Sequence, residues 1–274
     1  MNYEKNYKQR TNIKEHRINM KLRSILLRAE YESFNDDFFN VFMDNVRFIS
    51  NYLSWNIRRY QIETDGSYNM ISISITKSLD SCCLESENVL AVKVHFDEKE
   101  MDDYLKMKDE KKRFEFYLSI LEKGYDIASS YKNIAHKTLL NLHQSFRLGN
   151  YQNKRLFKSK TIKEYGIKVK LVHNLSSYDY KLMLYVYKLN NELVSEGCIY
   201  QTFPDEILFD KNVRHLVIKN GELIITDFLD HPQFICELDD LSKGIVRSIC
   251  VDKDTKKYIP NEQNAEKFER LKWI

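Results

Sequence analysis

Only seven glycines and three prolines occur in 274 residues, and that scarcity is the first constraint. Glycine is where a backbone most readily wraps a phosphate, so nucleotide-binding folds built on glycine-rich loops are disfavoured. G-x-x-x-x-G-K-[ST], G-x-G-x-x-G and G-x-S-x-G are all absent, and with them the usual anchors of P-loop, dinucleotide-binding and α/β-hydrolase chemistry; H-E-x-x-H is absent too. No run approaches the ~18 apolar residues that cross a bilayer, and Met1 to Asn12 lack the apolar segment of a secretory signal. A cytoplasmic protein without membrane association is expected.

Cysteine is present but unorganised. Cys82, Cys83, Cys198, Cys236 and Cys250 are an odd number without Cys-x-x-Cys spacing, which fits neither a disulfide framework nor a zinc site. Reduced and mostly buried thiols are expected. Cys82 and Cys83 have no histidine nearby in sequence to activate a thiolate, and Cys198 falls within a strand pattern, so none reads as a nucleophile.

Hydrophobic residues make up 43% of the chain and charged residues 30%, a balance typical of globular rather than disordered or membrane proteins. Lys, Asn, Ile and Tyr are abundant, as in products of AT-rich bacterial genes. The net charge of +3 is uneven: residues 1–28 carry eight Lys or Arg against Glu4 and Glu15, or +6, leaving −3 for the rest. Such a basic arm either grips nucleic acid or an acidic partner, or is a solvated helix face. Met20 within it offers an alternative translational start.

Ile18, Leu22, Ile25, Leu26 and Ala29 recur at three- and four-residue steps, predicting an amphipathic helix over Lys14 to Ala29. Asn35, Asp36 and Asp37 are cap candidates for a short helix carrying Phe38, Phe39, Phe42, Met43 and Val46. Residues 50–63 are expected to pair, across the Asp65-Gly66 turn, with the alternating stretch Met70 to Thr76 as a β-hairpin. Asn88 to Phe96 gives a third strand. Asp97 to Met107, Asp109 to Ser129 and Asn133 to Leu148 read as helices, the second with a stripe of Phe114, Tyr117, Leu118, Leu121 and Tyr125.

Beyond a basic connector, Lys154 to Lys163, the period changes to two. Ile167 to His173, Tyr180 to Val186 and Leu193 to Phe203 form a meander. Asn220-Gly221 suits a tight type I′ turn between Arg214 to Ile218 and Leu223 to Thr226, and the tail ends in a helix from Glu262 with Phe268, Leu271 and Trp273 on one face. Without regular β-α-β alternation the sheets are expected to be antiparallel. The expected fold is α+β, two antiparallel β-meanders with a central helical block packed on them. It forms one compact unit over 1–274, with a possible subdivision into 1–150 and 151–274.

Several constellations resemble chemical sites without completing one. A restriction-type nuclease needs an acid followed by Glu-x-Lys on a strand; Asp80, Glu87 and Lys93 have the wrong spacing. His136 and His143 are seven residues apart on one helix, roughly 10 Å by helical rise, too far to share a metal. His136 to Thr138 resembles half of a two-histidine phosphoesterase motif, whose second copy is missing. The acidic group Asp97, Glu98, Glu100, Asp102 and Asp103 lacks calcium-loop spacing and is explained equally by a first helical turn whose carboxylates offset the helix dipole. No catalytic, cofactor-binding or metal-ligating residue is assigned.

The connector residues Lys154, Arg155, Phe157, Lys158 and Lys160 interleave an aromatic ring with cations, the pattern that base stacking plus phosphate contact requires; solvated lysines in a loop give the same letters. The stretches Gly149-Asn150-Tyr151-Gln152-Asn153-Lys154 and Lys163-Glu164-Tyr165-Gly166, with the layout around them, resemble immunity-type proteins encoded beside bacterial toxins, over about half the chain. The resemblance implies a cytosolic inhibitor that binds a cognate toxin, with no catalytic residue to carry over.

The expected function is accordingly a non-enzymatic protein-binding module that neutralises a toxin. Its contact candidates are Asp97, Glu98, Glu100, Asp102, Asp103, Glu237, Asp239 and Asp240, since charge complementarity steers such encounters. The alternatives are a nucleic-acid-associated protein, as in phage defence, using the basic arm and connector, or an enzyme whose site is assembled only in the fold.

Overall fold

The computed structural model describes residues 20–251 and 258–260. Its first sheet holds β1 (Ser24–Ala29), β2 (Met70–Thr76), β3 (Cys82–Ser86) and β4 (Val89–His95) in the order β1-β2-β4-β3. β1 and β4 both run parallel to β2, and β3 pairs antiparallel with β4. This corrects two expectations. Residues 24–29 are a strand rather than the end of a helix, because Ile25, Leu27 and Ala29 alternate inward with period two. The parallel pairings also depart from the antiparallel arrangement expected for this half of the chain.

The cause lies in α1 (Asp36–Ile57), which does not stop after Val46. Its apolar stripe continues through Ile49, Leu53 and Ile57, all fully buried, so residues 50–57 extend the helix and form no hairpin strand. A helix of that length carries the chain back to the start of the sheet, as a parallel neighbour requires. Asn35 caps it as expected, its side chain accepting the Phe38 N–H at 2.9 Å.

α1 also closes the outer edge of β1, where a further strand would otherwise be invited. Ser54 Oγ accepts the Ile25 N–H and donates to the Ile25 carbonyl, both at 3.0 Å, and Ser50 Oγ accepts the Leu27 N–H at 3.0 Å. Both serines are buried.

The helical block follows the sequence closely: α2 (Glu98–Lys106), α3 (Glu110–Tyr131) and α4 (His136–Leu148). Asp97 and Glu100 form a reciprocal capping box at the start of α2. The predicted stripe of α3 is buried against the sheet, and Tyr117, Tyr104, Phe42, Phe38 and Phe96 interlock as an aromatic core.

The second sheet is an antiparallel meander of β5 (Asn153–Ile162), β6 (Ile167–Leu175), β7 (Tyr180–Lys188) and β8 (Leu193–Thr202), paired in that order. Here the basic connector proves to be strand β5. Its alternation is masked by a bulge between Leu156 and Lys158 and by lysines, residues that natural sheets place on edge strands to discourage further pairing. Ile167, Val169 and Leu171 on β6, with Leu182, Leu184 and Val186 on β7, face the core.

α5 (Glu206–Asp210) leads to a third, antiparallel sheet of β9 (His215–Lys219), β10 (Glu222–Thr226), β11 (Pro232–Glu237), β12 (Ile249–Val251) and β13 (Tyr258–Pro260), with α6 (Leu238–Ser242) between β11 and β12. The Asn220-Gly221 turn has φ of 51° and 80°, as a type I′ hairpin demands. The class is therefore α+β, and buried side chains from Leu22 to Cys250 belong to one hydrophobic cluster. The predicted helix from Glu262, and residues 1–19 of the basic arm, lie outside the described residues. No helix among the described residues is long and apolar enough to cross a membrane.

Candidate nucleic-acid interface

Three basic stretches distant in sequence meet at one surface. The segment leading into β1 supplies Lys21 and Arg23, the end of α1 and the turn after it supply Trp55 and Arg58, and β5 supplies Arg155. Trp55 is the hub. The Arg155 guanidinium carbon lies 3.4 Å from its ring centroid and that of Arg58 4.7 Å away, both within cation–π range. The indole N–H donates to Glu206 at 3.0 Å, which fixes the plane of the ring. Arg58 in turn donates to the Arg23 carbonyl at 3.0 Å. Lys21, Leu22, Arg23, Arg58 and Gln61 line a cleft of about 370 Å³ beside it.

Arg155 is the unusual member. It is half-buried, and among the described residues it meets no hydrogen-bond acceptor and no carboxylate within ion-pair distance. Burial lowers its pKa from the ordinary guanidinium value, and the charges of Glu206 and Asp210 oppose that shift. A guanidinium stays charged regardless, with five N–H donors in a planar fork. Lys21, Arg23, Arg58, Arg59 and Lys154 are exposed and likewise form no ion pair with a described residue.

Behind Arg155 stands its cross-strand neighbour His173. The His173 ring is 5% exposed and packed edge-on by Phe157, with centroids 4.8 Å apart. The Tyr180 hydroxyl lies 2.6 Å from His173 Nδ1, and Tyr180 itself stacks on Phe209 at 3.8 Å. Burial, aided by the Arg155 charge, pushes the His173 pKa down to about 3. The imidazole is thus neutral and shares one hydrogen bond with the Tyr180 hydroxyl through Nδ1, while Nε2 is buried without a hydrogen-bond partner among the described residues.

The unfolded chain binds this proton below pH 6.5 and the folded chain only near pH 3. Stability is therefore complete above 6.5 and is lost as pH falls from 6.5 towards 3. His173→Gln, which keeps an acceptor for Tyr180, is expected to remove about 1–2 kcal/mol of the acid destabilisation at pH 5, read as the change in urea midpoint between pH 7 and pH 5. An unchanged pH dependence would mean that the ring titrates normally.

Among the sequence candidates on β5, Lys154 is exposed, Arg155 joins the ledge, Phe157 packs on His173, Lys158 lies 5.5 Å from the Phe157 ring, and Lys160 is exposed. The acidic candidates fare differently. Asp97 and Glu100 are engaged in the capping box, Glu98 lies 3.6 Å from Lys77, Glu100 2.9 Å from Lys123 and Asp102 3.8 Å from Lys106. Asp103, Glu237, Asp239 and Asp240 form no ion pair with a described residue, and no bond joins the α2 group to the α6 group.

Trp55, Arg58 and Arg59 were missed because residues 50–63 read as a strand. Their signal was an aromatic residue followed by paired arginines at the end of an apolar stripe.

In the remaining constellations most charged groups are held by neighbouring side chains, although His136 Nε2 and His143 Nε2 are buried without a hydrogen-bond partner among the described residues. Lys93 pairs with Glu30 at 2.5 Å, while the Ser33 and Thr76 hydroxyls donate to the other Glu30 oxygen at 2.6 Å, holding that carboxyl at about 2. No bond links Lys93 to Asp80 or Glu87. His143 is fully buried against Glu122 at 2.9 Å, and His136 lies 3.1 Å from Asp126. None of the five cysteines is in a disulfide; Cys236 and Cys250 are buried, whereas Cys82, Cys83 and Cys198 are partly exposed, contrary to the expectation of mostly buried thiols. Burial pushes Cys236 up to about 12 and raises Cys83 and Cys198, so these remain thiols rather than thiolates.

Comparison of the chain with protein-family models, curated proteins and solved structures gives no match.

Proposed function

We propose that this chain is a nucleic-acid-associated binding protein that grips the phosphate backbone at the Trp55 ledge. The observation that carries the reading is Arg155: a half-buried guanidinium whose carbon lies 3.4 Å from an indole centroid, its donors unused by the described residues, beside cations that form no ion pair with a described residue. Phosphate oxygens are the complement of such a fork, since they accept in pairs and carry the opposite charge. Contacts of this kind position a nucleic acid without reading its sequence. They also release counterions, so binding weakens with salt.

The test is a titration of labelled single-stranded and duplex oligonucleotides at increasing salt. Arg155→Ala and Arg58→Ala are each expected to weaken binding about tenfold and to lower the slope of log affinity against log salt by about one. Asp103→Asn serves as a control and leaves both unchanged. No binding at low salt, or variants that bind like the wild type, would defeat the reading.

A second reading, an inhibitor of a cognate toxin, rests on the carboxylates Glu237, Asp239 and Asp240 at the start of α6, which form no ion pair with a described residue. It requires binding to a basic protein surface that survives Arg155→Ala and is lost in Asp239→Asn with Asp240→Asn.

A further inference from the structure

We propose that the outer face of the second sheet is a stacking platform for the bases of a single-stranded nucleic acid whose backbone enters at Arg155. This deepens the ledge reading and rests on it. The inner face of the meander is packed into the core, but Leu156, Val172, Met183, Tyr185 and Tyr187 on the opposite face neither belong to the core cluster nor pack against it. They are held side by side by strand register alone.

Tyr185 and Tyr187 are two residues apart on β7 and so project to the same side. Lys170 stands opposite Tyr185 and Lys168 opposite Tyr187, with Lys170 Nζ 4.6 Å from the Tyr187 ring centroid. Neither lysine pairs with a described carboxylate. Two half-exposed aromatic rings, each with a cation across the strand, provide π-faces for bases and charge for the phosphates between them. Two acidic groups lie at this face: Asp179, which pairs with Lys181 at 3.0 Å, and Glu196, opposite Tyr185 on β8; Lys154, Lys168 and Lys170 outweigh Glu196.

Continuity with the ledge selects the occupant. β5 turns Arg155 toward Trp55 and His173 while Lys154 and Leu156 point to the outer face, where they pair with Asn174 and Val172. A strand held by phosphate at Arg155 therefore passes over one sheet edge to reach the tyrosines. From Asn174 to Lys168 the path along β6 is about 20 Å, long enough for several nucleotides. Paired bases hide their faces from such a surface, so the chemistry favours a single strand over a duplex.

The experiment compares the full chain with Tyr185→Ala, Tyr187→Ala and the corresponding Phe variants, using short fluorescein-labelled single-stranded oligonucleotides and the matching duplexes, with thermal melting to confirm that each variant folds. Each alanine change is expected to weaken single-strand binding about fivefold or more while duplex binding stays unchanged; the Phe variants keep single-strand affinity. Arg155→Ala lowers both, which separates the ledge from the platform. Alanine variants that bind single strands like the wild type overturn the platform and leave the ledge standing. A wild type that binds neither polymer overturns both. Sedimentation showing a dimer that Tyr185→Ala with Tyr187→Ala dissociates assigns the face to a second copy of the chain and also overturns the proposal.

Discussion

Gly124→Val is expected to destabilise the fold by about 3 kcal/mol, at the upper end of the range for overpacking a core. Gly124 lies on the buried stripe of α3. A Cβ added there would sit 2.7, 2.8 and 2.9 Å from the Cδ1, Cγ1 and Cγ2 atoms of Ile73, closer than van der Waals contact allows. Ile73 has nowhere to go: it is fully buried in β2, with Leu27 and Val92 beside it on β1 and β4. Glycine is otherwise a poor choice in a helix, about 1 kcal/mol worse than alanine, so its presence here is explained by the approach of α3 to the sheet.

Urea denaturation reads the effect. Gly124→Ala falls between wild type and valine, because its helix propensity offsets part of the clash. Combining Gly124→Ala with Ile73→Val, which removes the nearest methyl, gives a smaller loss than the sum of the two changes. A Gly124→Val protein with an unchanged midpoint would contradict the close packing of α3 on β2.

Ser54→Ala is expected to cost a similar amount, about 3 kcal/mol, although it deletes a single oxygen. That oxygen satisfies two buried backbone groups, the Ile25 N–H and C=O, and leaving a buried donor and acceptor unmatched costs about 1–3 kcal/mol each. Hydrogen exchange offers a sharper readout than global stability: the Ile25 amide should lose protection selectively, with the Leu27 amide, held by Ser50, less affected. Equal exchange at Ile25 in variant and wild type would show that the edge is closed by something else. Freeing this edge also loosens the joint between β1 and α1, the two elements that bring Arg23 beside Arg58. Nucleic-acid binding is therefore expected to weaken together with stability.

The elements that could be read from the sequence were those whose determinants are local. The stripe of α3 repeats every three to four residues, Asp97 and Glu100 meet within one turn, the buried positions of β6 and β7 alternate, and Asn220-Gly221 sets its own turn geometry. Each is fixed by neighbours a few residues away, so the α+β class and the helical block followed. Residues 24–29 failed this test because so short an apolar run satisfies a helical and a strand period equally. Residues 154–163 failed it because an edge strand needs lysines, which look like a loop.

The proposed binding surface belongs to the other category. Basic residues near β1 and on β5 were visible as two separate clusters, and the serines that fasten β1 to α1 were visible only as polar residues in an apolar stretch. Composition alone determined that this chain has a large core and no glycine-rich phosphate loop. Only the tertiary structure decided that Arg23, Arg58 and Arg155 gather around Trp55, because which strands pair, and which helix covers an edge, is settled by burial summed over the whole core rather than by any local pattern.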